Sequence, residues 1–148
     1  MGVPKFLKQG AGDGRRALLR GACVGVLALA AGCARVAPLQ DVQDAAFIGT
    51  APVGRRAEQI KRAGAGLSWI MEEQRPGLMR ATLNLRTHQE VVDILYDESR
   101  FSIRYVSSKD LDYRLDGLAP GYRGTVIHSN YVGWIQNLER RIMAESSV

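Results

Sequence analysis

The chain has 148 residues, with 20 Lys and Arg against 15 Asp and Glu, and a formal net charge of +5. The basic excess sits at one end: residues 1–32 hold five basic residues and one acidic, leaving 15 and 14 for Cys33 to Val148. That nearly neutral body lacks the electrostatic footprint that phosphate binding needs, which argues against a nucleic-acid partner.

The first 32 residues read as an address. Lys5, Lys8, Arg15, Arg16 and Arg20 form a basic start, opposed only by Asp13. Gly21 to Gly32 carries no charge and gains apolar weight from Val24, Val26, Leu27 and Leu29. Such a run has the length of a signal-peptide core and is too short to span a bilayer. The small residues Ala30, Ala31 and Gly32 then lead into Cys33. This order resembles the lipobox of bacterial lipoproteins, with Ala30 where Leu is commonest. The resemblance implies cleavage before Cys33 and acylation of its thiol with palmitate-class chains. Two or more chains anchor a protein stably to the bilayer. By resemblance to lipoprotein sorting, Ala34 rather than Asp after the cysteine points to the outer membrane, at its periplasmic face. Cys23 leaves with the signal, so the mature body has no disulfide and folds on its core alone.

Residues 33–54 read as a flexible tether. Ala, Val, Pro and Gln dominate it, Pro38 and Pro52 punctuate it, and no period is sustained. Phe47-Ile48 is an apolar pair that either docks on the domain or stands exposed.

The globular part is expected over residues 55–148. Ala57, Ile60, Ala63 and Gly64 recur at helical spacing, so a short helix runs from Arg55 to Ala63. Trp69 to Glu73 is a first strand, and Pro76-Gly77 a turn. Met79, Ala81, Leu83 and Leu85 alternate with Arg80, Thr82, Asn84 and Arg86, the pattern of a half-buried strand. Val92, Ile94 and Tyr96 form the buried face of the next strand, and Phe101, Ile103 and Tyr105 that of the one after. Short connections predict a four-stranded antiparallel meander. Ser107 to Gly124 reads as a polar loop. Thr125 is the expected N-cap of a long amphipathic helix carrying Ile127, Tyr131, Trp134, Ile135, Leu138 and Ile142. The fold class is therefore α+β: a two-layer domain with the meander covered by both helices. Trp134 is expected between this helix and Leu83, Ile94 and Ile103, with Gly133 allowing a close approach.

From Ile60 to Ile142 the sequence resembles a family of small proteobacterial lipoproteins of unassigned activity. The pieces are Trp69, Pro76-Gly77, Ala81-Thr82-Leu83 with Arg86 and His88, then Val92, Ile94 and Tyr96. Phe101-Ser102-Ile103 with Tyr105, Leu111 and Tyr113, and Ile127-His128 with Tyr131, Trp134, Asn137 and Leu138 complete them. Val132 departs from the pattern, where Asn is common. The resemblance implies an envelope lipoprotein with an α/β domain, and no activity to carry over.

The residues able to carry chemistry are few. His88 and His128 are the two histidines, and with Glu90 or Asp93 they have the donor types for zinc, though at no motif spacing. His128-Ser129 lacks a nucleophile-elbow pattern. Asp110, Asp112 and Asp116-Gly117 have the look of a calcium loop, but Arg114 and Gly121 occupy ligand positions. Tyr96, Phe101, Tyr105, Tyr131 and Trp134 read as core rather than a stacking platform. Arg80, Arg86 and Arg104 share the outward strand face, either as a solvated surface with cross-strand ion pairs or as a face for an envelope partner. No cofactor motif is present. The function expected is a non-enzymatic, lipid-anchored envelope module with a protein or cell-wall partner; the alternative is a metal-binding or enzymatic module built on His88 and His128.

Overall fold

The computed structural model describes residues 35–148. The expected signal peptide and Cys33 lie outside the described residues. The strands are β1 (Val36–Pro38), β2 (Val42–Ala46), β3 (Trp69–Arg75), β4 (Leu78–Leu85), β5 (His88–Tyr96), β6 (Arg100–Lys109), β7 (Arg114–Ala119) and β8 (Tyr122–His128). Helix α1 (Val53–Ala65) lies between β2 and β3, and α2 (Ser129–Glu145) follows β8. The class is α+β, as the alternating and helical periods predict. All strand pairings are antiparallel.

A single four-stranded meander is too small a description. Strands β3 to β6 do pair in sequence, but β2 joins β6 to make a five-stranded sheet of order β2-β6-β5-β4-β3. A second sheet of order β1-β8-β7 stands beside it in the topology. The clearest pattern in the sequence sets the register of the main sheet. Met79 faces Ile94, Ala81 faces Val92, and Leu83 faces Glu90 across β4 and β5. Their common face joins Phe101 and Ile103 of β6 in the core. Gly77, at φ +84, makes the β3–β4 turn, and its carbonyl accepts from Tyr96 N at 3.0 Å. A left-handed φ of that kind favours glycine.

The helices cover this face with the residues closest to a stripe. Ala57, Ile60 and Ala63 of α1 are buried, as are Tyr131, Ile135, Leu138 and Ile142 of α2. Trp134 is not at the centre of that stripe. It is half-buried at its flank, because steps of four and three from Tyr131 place Ile135, Leu138 and Ile142 on one line and leave position 134 to one side. Gly133 does not serve a close approach either: among the described residues a Cβ there would meet nothing within 4 Å. The close approach is at Gly64, where a Cβ would collide with the Met71 side chain of β3.

The expected tether is largely structured. Val36, Ala37 and Pro38 pair with His128, Ile127 and Val126 of β8. Val42 and Ala45 pair with Ile103 and Phe101 of β6. The stretch thus passes from one sheet to the other. Three-residue strands held by main-chain bonds are too short to display a side-chain period, so composition alone reads as linker. Pro38 is tolerated because β1 is an edge strand. Phe47 docks, 6% exposed and 4.9 Å from the Phe101 ring, while Ile48 beside it is 52% exposed.

Two further boundaries move. The expected loop from Ser107 to Gly124 contains the end of β6 and the β7–β8 hairpin. Thr125 belongs to β8, and His128 caps α2 in its place. The β-branched run Thr125-Val126-Ile127 favours the strand it forms with β1 and β7. No described helix is long and apolar enough to cross a membrane.

Candidate functional site

The two histidines, 40 positions apart in sequence, meet at one end of the fold. His88 opens β5 and His128 closes β8. Asp110 and Leu111, between β6 and β7, tie them together. The Asp110 carbonyl lies 2.6 Å from His88 Nδ1, and the Leu111 carbonyl accepts from the His128 backbone N–H at 2.8 Å. The ring centroids are 6.0 Å apart, and Trp134 of α2 stands 6.3 Å from the His88 ring.

The partners fix the tautomers. A carbonyl only accepts, so His88 Nδ1 carries the hydrogen and a neutral ring leaves a lone pair on Nε2. The Asn130 backbone N–H donates to His128 Nδ1 at 3.2 Å, so a neutral His128 carries its hydrogen on Nε2. One ring therefore offers an acceptor and its neighbour a donor. That suits a hydroxyl or amide better than a metal ion. His88 Nε2 meets the usual requirement for a ligand, with Nδ1–H held by a carbonyl. His128 would have to present a protonated nitrogen or give up the helix cap. Among the described residues no group of three or more His, Cys, Asp or Glu is placed to hold a metal ion.

Glu90 and Asp93, considered with the histidines as ligands, are divided by the sheet. Glu90 follows His88 on the inner side of β5 and is fully buried. Neither of its carboxyl oxygens has a hydrogen-bond partner among the described residues, and the same holds for the buried Tyr131 hydroxyl. Burial pushes the Glu90 pKa up to about 8, so the side chain is mostly neutral at pH 7. Burial also raises the Tyr131 pKa, with smaller contributions from Glu90, Asp41 and Tyr105. Tyr105 meets Tyr131 edge-on at 5.9 Å, stacks on Tyr113 at 4.7 Å and shares a 2.9 Å hydrogen bond with Ser108 Oγ.

Asp93 faces outward and holds Arg80 in a two-pronged ion pair at 2.8 and 2.9 Å. The register puts Glu72, Arg80, Asp93 and Arg104 side by side across four strands, alternating in sign. Arg80 and Arg104 thus belong to a cross-strand charge ladder. Arg86 does not: it lies in the β4–β5 turn at φ +57. Of the expected core aromatics, Tyr96, Phe101 and Tyr131 are buried, while Tyr105 and Trp134 are half-buried. Asp110, Asp112 and Asp116 are exposed, with Asp112 3.8 Å from the Arg35 guanidinium.

Sequence reasoning missed Arg56. It is fully buried and rests 4.2 Å above the Phe47 ring. Its guanidinium donates to the carbonyls of Gly49, Glu98 and Ser146 and to Gln59 Oε1. Burial lowers its pKa. It joins three chain segments rather than facing a ligand. The readable signal was position: Arg56 stands one turn before Ile60, on the apolar side of α1.

The chain matches no family model, no curated protein and no solved structure.

Proposed function

We propose that this chain is an envelope lipoprotein, anchored to the bilayer through acylated Cys33, whose folded part is a non-catalytic binding or structural module. The observation that carries the reading is the order of residues 1–33: basic start, uncharged apolar run, small residues, cysteine. The resemblance to small proteobacterial lipoproteins supports it, and Ala34 favours the outer membrane. The partner is an envelope protein or a cell-wall component. Both histidines have structural tasks, one holding the Asp110 carbonyl and the other capping α2, which supports binding over turnover. Labelled fatty acid should enter the wild-type protein and not Cys33→Ser, and the wild type should fractionate with outer membranes. Equal labelling of both proteins sinks the anchor.

The 6.0 Å approach of His88 and His128 favours a second reading, a metal-binding or enzymatic module at that pair. Zinc titration by calorimetry separates the two. Stoichiometric binding that His88→Ala abolishes would favour the second reading. Absence of binding, or binding unchanged in His88→Ala, would leave the first.

A further inference from the structure

Cys33 lies three positions before Val36, the first residue of β1, with only Ala34 and Arg35 between them. A chain of that length spans at most about 11 Å. If Cys33 carries the lipid, the end of the fold around Val36 is held within about 11 Å of the headgroups. The register shows what stands there. Pro38 of β1, Val126 of β8 and Arg114 of β7 form one row across the smaller sheet. Tyr113 and Leu115 flank Arg114, and are 38% and 67% exposed. Arg35 and Lys109 are exposed at the same end, where the Arg35 carbonyl accepts from Ser129 N at 3.0 Å. Asp110, Asp112 and the exposed Asp116 oppose the three cations, so the patch carries no net charge. Among the described residues, no strand pairs with the other side of β7.

We propose that this end of the smaller sheet, centred on Tyr113, Arg114 and Leu115, is a membrane-contacting surface that lies in the lipid headgroup layer. The inference rests on the lipoprotein reading and adds the orientation of the domain to it. The chemistry fits an interface between water and lipid. Tyrosine and leucine supply amphipathic and apolar contact, and Lys109 and Arg114 reach phosphate groups with their long side chains. The Tyr113 ring is held flat against Tyr105, so it is presented without loss of side-chain freedom on contact. The opposite end of the five-stranded sheet, where Gln74 precedes the β3–β4 turn, is about 25 Å further along the strands and stays in water.

The test uses the full chain, processed in the cell and reconstituted into phosphatidylethanolamine–phosphatidylglycerol vesicles. An environment-sensitive fluorophore is attached at Leu115→Cys or, as control, Gln74→Cys. Both positions are exposed, so the labels spare the core. Spin-labelled lipid should quench the fluorophore at least twofold more strongly at position 115 than at 74, with blue-shifted emission only at 115. Equal quenching at both positions, in protein that floats with the vesicles, overturns the orientation and leaves the anchor standing. Protein that does not float overturns the anchor and the orientation together.

Discussion

Glu90 and Asp93 stand three residues apart on one strand and live in different solvents. Glu90 points into the core, fully buried, with no partner for either oxygen among the described residues. Asp93 points outward and holds Arg80 at 2.8 Å. The same functional group is kept neutral on one face and held by a guanidinium on the other. Strand parity, rather than residue type, decides which chemistry a carboxylate of β5 performs. The zinc hypothesis treats the two as interchangeable donors, and the sheet separates them.

The largest effect expected from this contrast is in packing. Ile94→Ala, on the inner side of β5, should cost about 2–5 kcal/mol in a urea melt. Leu95→Ala, its half-buried outward neighbour, should cost about 1 kcal/mol or less. Similar losses at the two positions would break the comparison.

Glu90 gives the next effect. Its folded pKa, pushed up to about 8, lies above the unfolded value near 4.5. The folded form therefore favours the protonated acid. Its contribution to stability is complete below about pH 4.5, declines as pH rises, and is lost above about pH 8. Glu90→Gln cannot ionise, so its stability relative to the parent should improve by about 1–3 kcal/mol between pH 5 and pH 8.5. A difference that stays constant over that range would mean that Glu90 is not held neutral.

On α2 the solvent side offers a milder change. Gly133→Ala should stabilise by about 1 kcal/mol, since among the described residues a Cβ there meets nothing within 4 Å. Thermal melts would read this as a rise in midpoint; a fall would place Gly133 against a neighbour. The smallest effect belongs to the charge ladder. Asp93→Asn should cost less than about 1 kcal/mol, and the loss should shrink at high salt.

How much was legible in the residues follows the length of each pattern. The meander β3–β6 could be read because β4 alternates in burial from Leu78 to Leu83, although Leu85, expected on the same face, is exposed. Extending the β5 alternation back from Val92 places Glu90 and His88 on the inner face, so the buried carboxylate was within reach of the same rule. Strands β1 and β2 were not, since three and five residues joined by main-chain bonds leave no period. The meeting of His88 with His128 depends on the Asp110-Leu111 carbonyls, a contact between distant segments that no local pattern encodes. Trp134 fits a broad apolar stripe, which predicts a core position; the structure gives the centre to Ile135 and leaves the indole at the rim beside His88.

Intact-mass and N-terminal peptide mass spectrometry of the membrane-extracted protein tests the central claim most directly. The lipoprotein account predicts a chain that begins at Cys33 and carries the mass of two or three acyl groups on that residue. A chain that retains residues 1–32, or one that begins elsewhere with a free thiol at Cys33, would contradict it.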